Sequence, residues 1–385
     1  MKKILFFLTS TLCYQIYSQS LPPKNAYSAQ VTQLHSGHSL TDPLFYPHWP
    51  GLYVNLIGHI NGLQGGQLFD SMVGKSTIPG SNIRTRWENQ VGYGAPDARL
   101  HIANWEILII TERVPLLYEG GSTQQWYLEG IKEQKNYLSL FVNNAWEKGN
   151  KGKGTPTLLW TTWTNIDDSN GPWRKMLDTQ GAEFERMQDY ANLNRPVGSP
   201  PVYIIPGHKM MARLYDDIQL GLVPEISSIK QFFSDNIHIN ELGAYASSMI
   251  HYACIFNKNP TGLPNNLIPN APSNTPIPSQ ALANYLQTMV WNVVTNYPRT
   301  GISTSQVILS NLGNETQQQL TVYPNPANDL LYLTVDPNQP LDYTIYDSIG
   351  NMITKGTENP INISTLISGC YVLDIRNQRI KFIKN

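Results

Sequence analysis

The chain has 385 residues, 41% of them hydrophobic, enough to bury a sizeable core and to exclude a globally disordered protein. Its 27 Lys and Arg balance 28 Asp and Glu with no basic run, so nucleic acid is not an expected partner. Only 14% of residues are charged, so the polar surface rests largely on Asn, Gln, Ser and Thr, a composition common outside the cytoplasm.

Residues 1–19 read as a signal peptide. Lys2 and Lys3 form a positive start, residues 4–12 are a short apolar run, and cleavage is expected near Ser18. The run is too short to span a bilayer, and no later segment is apolar enough to be transmembrane. A lipoprotein reading would modify Cys13, but Ser10-Thr11-Leu12 lacks the small residue expected just before it. Cys254 and Cys370 fall in different predicted domains and read as buried small apolar residues rather than a disulfide.

From residue 26 to residue 257, strand-like runs alternate with helical patterns. Strands are expected at 27–34, 105–111, 157–162 and 202–205, and helices near 51–60, 124–146, 173–193 and 241–256. The run Trp105-Glu106-Ile107-Leu108-Ile109-Ile110-Thr111 suits a strand buried on both faces. This alternation implies an α/β fold: a three-layer parallel sheet with helices on both faces. Residues 258–299 form a Pro- and Asn-rich loop followed by an amphipathic packing helix over 281–296, and residues 300–319 read as a linker. Residues 320–385 show short alternating strands separated by turns, which predicts a small antiparallel β-sandwich.

Two motifs carry candidate chemistry. Gly37-His38-Ser39-Leu40-Thr41-Asp42 follows the first expected strand, where a tight turn can present a hydroxyl at the carboxyl edge of a parallel sheet. Asp235 and His238 lie three apart just before a helix, so one loop can offer an imidazole to that serine and hold its other ring nitrogen. Together they resemble the SGNH (GDSL-like) hydrolase family over residues 26–257, a flavodoxin-like fold. That resemblance implies Ser39 as nucleophile, His238 as general base and Asp235 as its orienting partner, with the backbone N–H groups of Ser39 and Gly80 in an oxyanion hole. The sequence departs from the family's pattern twice. His38 stands where the family has Asp, and Thr111-Glu112-Arg113 stands where a G-x-N-D block supplies an oxyanion asparagine. Glu112 and Arg113 are expected to bind substrate or to pair with each other.

The C-terminal motifs Tyr323-Pro324-Asn325-Pro326-Ala327, Tyr343-Thr344-Ile345-Tyr346-Asp347 and Gly369-Cys370-Tyr371-Val372-Leu373, with a Lys-rich end, resemble a type IX secretion sorting domain. The resemblance implies export to the cell surface or beyond, and the type IX secretion machinery as a partner.

The combined expectation is an exported serine ester hydrolase, with acyl groups on a polysaccharide as the substrate guess and no cofactor. The alternatives are a catalytically impaired surface glycan-binding protein or an acyltransferase on the same serine. His35, His38, His48, His59 and His101 lack metal-ligand spacing, so no metal is expected. The nine tryptophans, among them Trp49, Trp87, Trp105, Trp126, Trp160, Trp163 and Trp173, lean weakly toward sugar stacking.

Overall fold

The computed structural model describes residues 21–48, 50–88, 96–116, 124–169, 171–303, 322–333, 341–347, 352–375 and 378–385. The expected signal peptide, Trp49 and most of the expected linker lie outside them. The chain divides into two compact units, Met1–Ser310 and Asn311–Asn385.

The first unit is built on five parallel strands: β1 (Gln33–Gly37), β2 (Val73–Thr77), β3 (Ile107–Ile110), β4 (Thr157–Thr161) and β5 (Tyr203–Pro206). Their order is β2-β1-β3-β4-β5, with β1 paired in parallel to both β2 and β3. The helices are α1 (Leu52–Asn61), α2 (Ile83–Glu88), α3 (Gln124–Gly152), α4 (Trp173–Asn194), α5 (Gly207–Gln219), α6 (Glu241–Phe256) and α7 (Gln280–Thr295). α2, α3 and α4 pack side by side in one row, α1, α6 and α7 in another, and α5 touches both α4 and α7. β1, β3, β4 and β5 are buried along their whole length, as a parallel sheet covered on both faces requires. The three-layer α/β expectation therefore holds.

Two boundaries differ from the sequence reading. The first strand begins at Gln33 rather than near Tyr27. The segment ahead of it is instead pinned to the far end of the domain: the Lys24 N–H donates to Gly301 O at 2.8 Å and the Tyr27 N–H to Ile255 O at 3.2 Å. Its apolar look reflects that docking rather than sheet pairing. β2 and α5 carry no clear periodic signal of their own. β2 holds Lys75 mid-strand, because it is a sheet edge where one long side chain can reach water.

α6 is buried at every position after Glu241. Its first half carries five small residues, Gly243, Ala244, Ala246, Ser247 and Ser248, beside the large Leu242 and Tyr245. Asn240 caps it, its side-chain oxygen accepting the N–H groups of Leu242 (3.0 Å) and Gly243 (3.3 Å). The cap fixes where the preceding loop enters the helix, and that loop carries His238.

The second unit has two antiparallel sheets. One is ordered β10-β7-β6, from Ile361–Asn362, Leu330–Leu333 and Val322–Tyr323. The other is ordered β12-β11-β8-β9, from Gln378–Lys384, Gly369–Ile375, Tyr343–Asp347 and Met352–Gly356. Leu331, Leu333 and Ile361 of the first sheet share a core with Ile345, Leu373 and Phe382 of the second, which makes the expected sandwich. Cys254 is buried as expected, whereas Cys370 is half-exposed; both are free thiols. No described helix is long and apolar enough to cross a membrane.

Candidate active site

The carboxyl ends of β1, β2, β3 and β4 open into the loops that build the site, the edge at which parallel α/β sheets bind ligands. Ser39 lies two residues beyond β1, half-buried. The turn is tight: a Cβ on Gly37 would sit 2.1 Å from Thr41 Oγ1, so only glycine lets Thr41 fold back there. Asp42 ties the turn to β2, accepting from Thr77 Oγ1 at 2.6 Å and from Lys75 Nζ at 3.1 Å.

His238 arrives from the opposite end of the domain. Its Nε2 is 2.9 Å from Ser39 Oγ and its Nδ1 is 2.7 Å from Asp235 Oδ2. Asp235 Oδ1 accepts the N–H groups of His238 (2.7 Å) and Ile237 (2.8 Å), so one carboxylate both shapes the loop and holds the ring. Partial burial works against the charged carboxylate, but those two N–H groups and the imidazole outweigh it and hold Asp235 down at about 2. An ionised Asp235 fixes the proton on Nδ1 and leaves Nε2 free to accept from the serine hydroxyl. The structure thus brings Ser39, His238 and Asp235 into one hydrogen-bonded relay.

Gly80 lies in the turn after β2, exposed and left-handed at φ +68°, a conformation glycine adopts without strain. Among the described residues, no group accepts a hydrogen bond from the N–H of Gly80 or of Ser39.

Glu112 and Arg113 part company. Arg113 is exposed, while Glu112 is fully buried. Glu112 Oε1 accepts from the backbone N–H groups of Ile83 (3.0 Å) and Arg113 (2.5 Å). Burial pushes the Glu112 carboxyl up to about 7, against the pull of Arg86 and these two donors. Among the described residues no ion pair joins Glu112 to Arg113, and both Arg86 and Arg113 favour the Glu112 anion electrostatically, Arg86 the more strongly. Arg86 is itself buried, with its value lowered to about 10 by burial. Arg86 donates to Ser81 O (3.0 Å), to Ser81 Oγ (3.1 Å) and to Thr111 O. Glu112 and Arg86 together latch the start of α2, and with it the Gly80 turn, to the end of β3.

His38 joins the same latch. The Leu40 N–H donates to its Nδ1 (3.3 Å), so its Nε2 carries the proton and donates to Glu112 O (3.0 Å). Burial, reinforced by Arg86, lowers His38 to about 3 and keeps it neutral. A neutral imidazole therefore holds the Ser39 turn to the end of β3.

Sequence reasoning missed Arg86, the His48–Glu241 pair (2.9 Å) beside the α6 cap, and Trp163, whose Nε1 donates to Ile237 O at 2.8 Å. None has a local motif; each is defined by a partner on another element. The lean toward sugar-stacking tryptophans finds little room: Trp105, Trp160, Trp163 and Trp173 are buried in the core.

Residues 321–385 match the Secretion system C-terminal sorting domain. The chain is therefore a type IX secretion cargo, secreted or displayed at the cell surface. No curated protein sequence matches it. Among solved structures it is similar to a DUF4886 family protein from Bacteroides uniformis, at 17% identity and a TM-score of 0.45, covering 70% of this chain and 96% of that one. It is also similar to phospholipase A1 from Streptomyces albidoflavus, at 10% identity and a TM-score of 0.33, covering 59% and 98%. For TesA the values are 12% identity and a TM-score of 0.29, covering 57% and 96%.

Proposed function

We propose that this protein is an exported serine ester hydrolase in which Ser39 is acylated and deacylated with His238 as the general base. The observation that carries the reading is the relay Ser39 Oγ–His238 Nε2–His238 Nδ1–Asp235 Oδ2, with contacts of 2.9 and 2.7 Å. A serine hydroxyl is a weak nucleophile until a base takes its proton, and an ionised carboxylate behind the base stabilises the imidazolium that forms. In the first step Ser39 Oγ attacks the ester carbonyl carbon while His238 Nε2 takes the hydroxyl proton. Collapse of the tetrahedral adduct releases the alcohol, which receives that proton. Water then repeats the sequence and frees the acid. The N–H groups of Ser39 and Gly80 are the oxyanion donors in this reading.

Glu112 replaces the amide that would add a third oxyanion donor. Such a donor is worth about 10²–10³ in rate, so modest turnover is expected. Arg113, exposed beside the end of β3, is assigned to substrate binding, whereas Glu112 holds the latch. Export directs the reaction to targets outside the cell, and acyl groups on a polysaccharide are the substrate class we assign. Transfer of the acyl group to a sugar hydroxyl would use the same acyl-serine and differs only in its acceptor.

The test is hydrolysis of p-nitrophenyl acetate by the mature protein. Ser39→Ala and His238→Ala should each lower kcat by about 10³-fold or more. Full activity in Ser39→Ala, or none in the wild type across short and medium acyl esters, would sink the reading.

A further inference from the structure

Asp235 and His238 ride on a short exposed loop, with the Asp235 side chain 55% exposed. The loop is braced within itself by Asp235 and by the Ser234 N–H donating to His238 O at 2.8 Å, but those bonds do not tie it to the sheet. Three hydrogen bonds run from it to the segment after β4. Trp163 Nε1 donates to Ile237 O at 2.8 Å, the Ile166 N–H donates to Asn236 O at 2.7 Å, and Asn236 Nδ2 donates to Asp167 Oδ2 at 2.7 Å. The segment is itself anchored, since Trp173 Nε1 donates to Thr164 O at 2.9 Å and the Trp173 N–H to Asp168 Oδ1 at 2.7 Å. Phe233, at the entry to the loop, meets Trp163 and Trp173 edge-on at 6.2 and 6.0 Å.

We infer that residues 162–169 form a cradle that positions the acid–base loop, and that Trp163 is its principal positioning residue. The inference rests on the hydrolase reading above. Trp163 is fully buried, so its indole cannot touch substrate. Its N–H grips the carbonyl of the peptide that leads directly into His238. That carbonyl orientation sets the angle at which the His238 backbone leaves the loop, and with it the reach of Nε2 to Ser39 Oγ. Displacement of a catalytic group by about 1 Å can cost on the order of 100-fold in rate, so loss of the tether nearest His238, one of the three, is expected to matter. Loss of the donor also leaves Ile237 O without its partner, which favours a loop shift toward water.

The experiment separates this role from simple core filling by removing the N–H with and without changing the shape. In one variant Trp163 is replaced by 3-benzothienylalanine, which keeps the bicyclic outline but has sulfur where the indole has N–H; Trp163→Phe is the genetically encoded companion. Steady-state kinetics on a p-nitrophenyl ester should show kcat reduced about tenfold in both, with KM changed less than twofold. Proton NMR of the protein alone should show the His238 Nδ1–H signal, assigned by its loss in His238→Asn, broadened or moved upfield in both. Unchanged kcat and an unchanged proton signal in the benzothienyl variant would overturn the inference. If the wild type turns over no ester, the hydrolase reading fails, and the proton signal alone decides whether Trp163 positions the ring.

Discussion

At the residue scale, the buried Glu112 shows how a carboxyl in place of an amide changes the physics of a site. An asparagine would be neutral at every pH, whereas a carboxyl carries a choice of state. Its native value of about 7 lies above the ordinary 4.5, because burial disfavours the anion more than Arg86 and two N–H groups favour it. Between those values the folded protein keeps a proton that the unfolded chain has lost. The contribution of Glu112 to stability is therefore full below about 4.5 and is lost as pH rises through about 7. Glu112→Gln keeps an oxygen for the Ile83 and Arg113 N–H groups and removes the titration. The variant should gain on the wild type by about 3 kcal/mol as pH rises from 4.5 to 8, read from urea midpoints at each pH. A difference that does not vary with pH would contradict the buried-carboxyl account.

At the element scale, the site depends on turns whose geometry is set by contacts across the sheet edge. Gly37 closes β1, and an added methyl there would lie 2.1 Å from Thr41 Oγ1 and 3.1 Å from Thr111 Cγ2. Gly37→Ala should therefore displace the Ser39 turn, lowering the melting temperature by an amount equivalent to about 1–3 kcal/mol and kcat by more than stability alone explains. Adding Thr41→Gly to that variant makes room and should recover part of both. α2 is held in a comparable way: the Arg86 guanidinium spans Ser81 and Thr111 from inside the core. Arg86→Met removes those donors and leaves the Ser81 and Thr111 carbonyls without that partner, and a cost of about 1–3 kcal/mol is expected in chemical denaturation.

At the scale of the whole molecule, four histidines are locked inside the first unit. His38 and His208 are lowered to about 3 and His251 to about 4, and His35 is pushed well below its ordinary value, in each case chiefly by burial. All four lie below the unfolded value of 6.5, so the unfolded chain binds more protons than the native one on the acid side. Their combined stability is present above 6.5 and is lost as pH falls toward 4 and below. Each contributes a slope of about 1.4 kcal/mol per pH unit, and four outweigh the single opposite slope of Glu112 between 4.5 and 6.5. Stability should fall steeply on acidification from 6.5, and His208→Gln should flatten that fall; calorimetry across this range checks both. The C-terminal unit acts at the same scale. Deletion of residues 321–385 should leave the protein inside the cell envelope, read by immunoblot of culture medium, surface and envelope fractions.

The sequence by itself determined the α/β class and the C-terminal sorting unit, and it put Ser39, Asp235 and His238 forward as one constellation. These signals are local: a YPNP opening, an alternation of strand and helix periods, a small-residue turn around Ser39, and Asp235 three residues before His238. Local spacing could pair Asp235 with His238 because one loop contains both. It could not supply the surroundings of Glu112, since the guanidinium that favours its anion more strongly, Arg86, belongs to another element and is recognised only once α2 is placed against the end of β3. Nor could it separate tryptophans that fill the core from one whose N–H steers the acid–base loop, because Trp160 and Trp163 look alike until Ile237 O lies 2.8 Å from one of them. The first strand was misplaced for the same reason: residues 21–31 are held by Gly301 and Ile255, contacts more than 200 residues away along the chain. Tertiary structure decided what depends on distance through space, where a buried charge or donor finds its partner or must do without one.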